Sequence, residues 1–146
     1  MNERFALDST PLSLLCHPNL RLAEVREVRD WVARRVTLGD EVLIPEICDY
    51  EVRRELLRVG RTESVGRLDD LHAEYTVLAV TGDILRRAAQ FWAEARQAGL
   101  PTASPEALDA DAILAAQAEG AGAVVITGNV GHVRRFVTAK HWRDCP

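Results

Sequence analysis

A chain of 146 residues, 47% apolar and 27% charged, has the size of one ordinary domain and can bury a core without disulfides or metals. Its net charge of -4 excludes a protein that coats nucleic acid through bulk attraction, and no apolar run is long enough to span a bilayer.

In chain order, "RFALD" reads as a short strand that ends in Asp8. "STPLSLLCHP" starts a helix, with Thr10 as a fitting N-cap ahead of Pro11. Residues 19–40 carry Val25, Val28, Val32 and Val36 at helical spacing, and Gly39 marks the end. "EVLIP" is a second strand, and "EICDYEVRRELLRVG" is a helix that stops at Gly60. "ESVGRLDDLHAEY" is a further helix and "TVLAVT" a third strand. "GDILRRAAQFWAEARQAG" is a helix whose apolar face includes Leu85, Ala88, Ala89 and Trp92. "LPTASPEAL" reads as a proline-containing loop before the helix "LDADAILAAQAEG" and the strand "AVVIT". The tail holds one more turn of helix and a short edge strand.

Strands alternating with helices, each strand a short apolar run, predict one α/β domain over residues 1–146. The expected architecture is three layers, α/β/α, around a mostly parallel sheet. Ligands in such sheets bind outside the carboxyl ends of the strands, where the strand order switches. That edge should receive Asp8 from the first strand and Asn129 from just beyond the fourth. Asp109 and Asp111 reach it from the start of an antiparallel helix, and Glu51 from between one and two turns into the helix that leaves the second strand.

Each residue has a plain structural reading as well. With Thr10 as the cap, Asp8 has no capping role. Asp109 fits the N-cap of the alanine-rich helix, which leaves Asp111 in the first turn, free to face the rim. Glu51 is one of several charges on its helix. Together, however, crowded carboxylates repel one another and raise each other's pKa unless a cation sits among them. Hard oxygen donors suit Mg²⁺ or Mn²⁺, and the chemistry that follows is attack of activated water on a phosphodiester.

Other chemistries lack their residues. The four histidines show no paired zinc spacing, and there is no Gly-rich phosphate loop, dinucleotide fingerprint or nucleophile elbow. A phosphoacceptor receiver needs an aspartate ending a middle strand, where this chain has Pro45 and Thr81. Cys16, Cys48 and Cys145 are odd in number and share no ligand spacing, which suits a reducing compartment. The start "MNERFALDS" shows no secretory pattern, so a cytoplasmic protein with no membrane association is expected. Of the 18 basic residues only Lys140 is lysine; arginines gather from Arg53 to Arg67 and at Arg134 and Arg135, a side chain suited to phosphate.

At these residues the chain resembles the PIN-domain nucleases. "FALDSTPLSLL" is similar to the family's opening strand with its first aspartate, and "VLIPEICDYEVRRELL" to its second block, where Glu51 matches the glutamate. "LDADAILAAQA" is similar to the third block, with Asp111 matching, and "VVITGNVGHVRRF" to the closing strand and polar turn, with Asn129 where the family has aspartate or asparagine. The resemblance implies Mg²⁺- or Mn²⁺-dependent RNA cleavage, frequent homodimers and, for VapC-type toxins, a small antitoxin partner. It places Asp8, Glu51 and Asp111 as metal ligands, Asn129 with them in catalysis, and Asp109 and Thr10 as auxiliary residues. Arg53 and Arg54 are the candidate RNA contacts. The closing segment departs from the family in that the further acid frequent there is replaced by His132 or by nothing. The alternative is a catalytically weak module of the same fold that binds RNA or a partner protein.

Overall fold

The computed structural model describes residues 2–99 and 104–146. Five strands form one parallel sheet: β1 (Arg4–Leu7), β2 (Glu41–Pro45), β3 (Thr76–Leu78), β4 (Val124–Ile126) and β5 (Ala139–Lys140), in the order β3-β2-β1-β4-β5. Between them run α1 (Ser9–Cys16), α2 (Ala23–Thr37), α3 (Glu46–Arg58), α4 (Thr62–Glu74), α5 (Gly82–Gln97), α6 (Pro105–Ala121) and α7 (Val130–Arg134). A 3-10 turn at Trp142–Asp144 follows β5. No helix among the described residues is long and apolar enough to cross a membrane.

The chain moves one way across the sheet from β1 to β3, then returns past β1 to β4 and β5. Right-handed crossovers therefore put α1–α4 on one face and α5–α7 on the other, which is the expected α/β/α layering. The same reversal makes the carboxyl ends of β1 and β4 the switch point of the sheet. β1 lies at the centre, and Phe5, Ala6 and Leu7 are fully buried, as a strand covered on both faces requires. Phe5 meets Trp31 of α2 edge to face, with ring centroids 5.2 Å apart.

Helix ends follow local chemistry. Gly39 and Gly60 have φ of 85° and 73°, a left-handed turn that glycine enters without penalty, and α2 and α3 stop just before them. Three expectations are corrected. First, Asp8 is itself the N-cap of α1: its Oδ1 accepts from Ser9 N at 2.7 Å, so Thr10 lies inside the helix. Pro11 is tolerated there because the first turn has no intrahelical acceptor for its missing N–H.

Second, α6 starts at Pro105, capped by Ser104 Oγ accepting from Ala107 N, so Asp109 is not the cap and both aspartates lie past the first turn. The expected loop thus yields residues 105–108 to the helix, and its residues 100–103 lie outside the described ones. Third, β3 ends at Leu78 rather than Thr81. Gln117 Nε2 donates to the Leu78 carbonyl and Val80 N donates to Glu46 Oε2, which draws the chain off the sheet edge.

The buried faces of two helices also differ in phase from their expected ones. In α2, Val36 is exposed, whereas Arg35 is buried over Phe5 and Trp31 and pairs with Asp40. In α5, Leu85 and Ala89 are exposed, and Ala88, Phe91 and Ala95 pack inward.

Candidate functional site

The site lies at the switch point. Asp8 directly follows β1, and its N–H extends the ladder to the Ile126 carbonyl of β4 at 2.9 Å. Both oxygens of its carboxylate are held. Oδ1 accepts from Ser9 N and lies 3.8 Å from Cys48 Sγ, while Oδ2 accepts from Thr127 Oγ1 at 2.7 Å. Thr127, fully buried beyond β4, also accepts from Asn129 N at 3.0 Å. A side chain at Gly128 would put its Cβ 3.1 Å from Thr10 Cγ2, so glycine lets the 127–129 turn close on the start of α1.

Glu51 comes from α3. Ser9 Oγ donates to its Oε1 at 2.9 Å, so one residue joins Asp8 through its backbone and Glu51 through its hydroxyl. Cys48 is three positions earlier and so on the same helix face. Ligand atoms of Asp8, Cys48 and Glu51 lie within 4.8 Å of one another. Burial pushes the Glu51 carboxyl up, and the Asp8 charge adds to this against the opposing Ser9 hydrogen bond. Burial, reinforced by Asp8 and Glu51, also raises the Cys48 thiol well above its ordinary value and keeps it protonated.

Asp111 comes from α6. Its carboxyl is pushed up to about 6, first by burial and then by Asp8, with a smaller push from Glu51. His132 and Arg135 pull the other way: Asp111 Oδ2 is 4.0 Å from His132 Nδ1 and 3.7 Å from Arg135 Nη2. Asn129 faces water, and its side-chain nitrogen lies 3.4 Å from His132 Nδ1. Asn129 thus meets the carboxylates at one remove, through Thr127 and His132.

Three other candidates are placed apart from this cluster. Asp109 precedes Asp111 by two positions, about 200° around a helix. It lines an open groove of about 340 Å³ with Leu85, Ala89, Trp92 and Ile113. Arg53 is held by Asp49 at 2.8 Å and by Asp69, while the exposed Arg54 lies over the Tyr50 ring, 5.0 Å from its centroid. Sequence reasoning missed Ser9, Cys48, Thr127 and Gly128. Their signals were adjacency to Asp8, helical spacing from Glu51, and the polar pair that ends an apolar strand.

Asp8, Glu51 and Asp111 present hard carboxylate oxygens at one rim, where burial first and neighbouring carboxylates second raise the Glu51 and Asp111 carboxyls. This donor set fits an oxygen-seeking divalent cation; the protonated Cys48 thiol does not recruit a soft one.

The PIN domain family model matches residues 18–135, a span that holds Glu51, Asp111 and Asn129 and begins after Asp8. No curated protein matches the chain. Solved structures share the fold at low identity. A DNA-bound VapBC from Salmonella typhimurium is 18% identical, with a TM-score of 0.73 over 97% of this chain and 99% of that one. VapBC2 from Rickettsia felis, bound to a promoter DNA fragment, is 14% identical, with a TM-score of 0.72 over 95% and 98%. Mycobacterium tuberculosis VapC20, described as a Sarcin-Ricin loop cleaving toxin, is 16% identical, with a TM-score of 0.64 over 91% and 96%.

Proposed function

The chain belongs to the PIN domain family, and from that premise we propose that it is a Mg²⁺- or Mn²⁺-dependent endoribonuclease. One observation carries the reading. Three carboxylates from segments far apart in sequence converge at the switch point of the sheet, where burial and then the Asp8 charge push the Asp111 carboxyl up to about 6. Asp8, Glu51 and Asp111 would hold the ion, with Asn129 completing the rim. Bound there, a divalent cation activates water and offsets charge on a phosphodiester under in-line attack.

The chain's own residues set the geometry. Ser9 fixes the spacing of Asp8 and Glu51, and Thr127 fixes the rotation of the Asp8 carboxylate. Preorganised ligands of this kind spare the site reorganisation during the reaction. Thr10, against Gly128 at the start of α1, would act as an auxiliary residue beside Asp8. Arg54 is the more available backbone contact, since Arg53 is already paired.

The VapBC neighbours support a small antitoxin as partner and a toxin role, and a homodimer accords with the family. A cytoplasmic location follows from that role. The test is cleavage of structured and single-stranded RNAs with Mn²⁺, Mg²⁺ or EDTA, comparing the wild type with Asp8→Asn. Cleavage that needs metal and is lost in the variant is the expected result. A second reading, a module that binds RNA or a partner without efficient catalysis, is favoured by the segment after β4, which offers Asn129 and no carboxylate before Asp144. Folded protein that binds RNA and leaves it intact under every metal would decide for it.

A further inference from the structure

The segment that closes the site is cationic. Between Glu119 and Asp144 the chain contains no acid, and Arg135 stands in that stretch beside Asp111. Its side chain is 14% exposed, its Nε donates to the His132 carbonyl at 2.9 Å, and its guanidinium lies 5.0 Å from the centre of the Phe136 ring. The fork is therefore held in place, with Nη2 turned to Asp111. His132 shares the same oxygen at 4.0 Å but is half exposed and charged only when protonated. Arg134, the next basic residue, is exposed.

Charge then limits what the site can take. Three carboxylates and one fixed guanidinium leave two negative charges, which a single divalent cation neutralises. A second cation would have to share Asp111 with the Arg135 guanidinium, 3.7 Å away, which repels it. We infer that the site takes one divalent cation per chain, and that Arg135 supplies the second positive centre, contacting a non-bridging oxygen of the scissile phosphate. A planar guanidinium is suited to that contact. The inference rests on the phosphodiesterase reading above and names how that site engages its substrate.

The test counts ions and measures cleavage in the metal-free chain and two variants, Arg135→Gln and Arg135→Lys. Titration with Mn²⁺, followed by electron paramagnetic resonance, should give one ion per wild-type chain. Arg135→Gln should bind that ion as tightly as the wild type or a few-fold tighter, because a repelling charge has gone. Its kcat/KM should nevertheless fall about 100-fold, the scale for losing one preorganised charge-stabilising group. Arg135→Lys should recover part of the rate.

A merely structural role would weaken metal binding and cleavage together, and that result overturns the inference. So would two ions per wild-type chain, or wild-type cleavage by Arg135→Gln. If Arg135→Gln does not fold, the ion count in the wild type and the rate of Arg135→Lys decide, with a rate equal to the wild type counting against the phosphate contact. A wild-type chain that binds no Mn²⁺ and cuts no RNA overturns the nuclease reading itself and this inference with it.

Discussion

Thr127 donates its hydroxyl to Asp8 Oδ2 at 2.7 Å, across two neighbouring strands and 119 positions of sequence. That hydrogen bond orients the carboxylate on which the candidate site depends. Thr127→Val keeps the β-branched shape and removes the donor. Outer partners of metal ligands are worth about 10- to 100-fold in metal affinity. Mn²⁺ titration should therefore show a loss in that range, and thermal unfolding a cost of about 1–3 kcal/mol for the partner left unsatisfied. Unchanged metal affinity would remove Thr127 from the site.

Asp8 has two roles that substitutions can separate. Asparagine remains a good N-cap, so Asp8→Asn should unfold near the wild-type temperature while losing metal-dependent cleavage. Alanine caps poorly, so Asp8→Ala should lose cleavage and also cost about 0.5–2 kcal/mol. Equal melting temperatures for the two variants would show that the capping bond to Ser9 contributes nothing.

Asp111 gives the metal-free protein a pH dependence. Its folded value of about 6 stands above the ordinary 3.8, so the folded state holds this proton more tightly than the unfolded one. Stability then falls as pH rises between 3.8 and about 6, and the penalty is complete above that window. Asp111→Asn, which imitates the neutral form, should raise the melting temperature in EDTA at about pH 7.5, with the gain shrinking as pH falls through the window. Added Mn²⁺ should stabilise the wild type and leave the variant little changed. An Asp111→Asn variant less stable than wild type in EDTA would contradict the burial and repulsion that raise the Asp111 carboxyl.

All three cysteines are buried, and burial raises each thiol, Cys16 to about 12. The thiolate is the reactive form, so iodoacetamide at about pH 8 should leave the native protein unlabelled and label three sites in denaturant. Rapid native labelling of Cys48 would mean that the pocket floor beneath Asp8 opens to solvent.

Sequence pattern and structure agree most closely where one local rule decides. "EVLIP" is β2 to the residue, a short apolar run of the kind that a strand covered on both faces carries. Glycines with positive φ end α2 and α3 as their positions imply. The misses occur where long-range partners override a local preference. Thr10 before Pro11 is a sound cap signal, yet Asp8 is already fixed by its ladder bond to β4 and takes the cap two positions earlier. Arg35 replaces Val36 on the buried face of α2 because Phe5, Trp31 and Asp40 give a guanidinium its partners. Asp8 stood out as an acid at the end of an apolar strand, whereas Glu51 and Asp111 lie inside helices and were placed by their distance from a strand and from a helix start. Ser9, Thr127 and Arg135 were harder to see, since their importance lies in what they touch.

Arg53 and Arg54 adjoin in sequence, and the structure separates their expected effects. Arg53 neutralises Asp49, which is buried, and also reaches Asp69. Arg53→Ala leaves the Asp49 carboxylate without its partner, so it should cost about 1–3 kcal/mol in denaturant unfolding. Arg54 faces solvent over Tyr50, and Arg54→Ala should be close to neutral for stability. If Arg54 contacts the RNA backbone, its loss should weaken binding of every sequence alike and lower the slope of log affinity against log salt by about one. The same slope measured for Arg53→Ala should match the wild type, because a guanidinium held by two carboxylates releases few counterions on binding. A reversed pattern, with Arg53 setting the slope, would mean that RNA draws Arg53 away from Asp49 and Asp69.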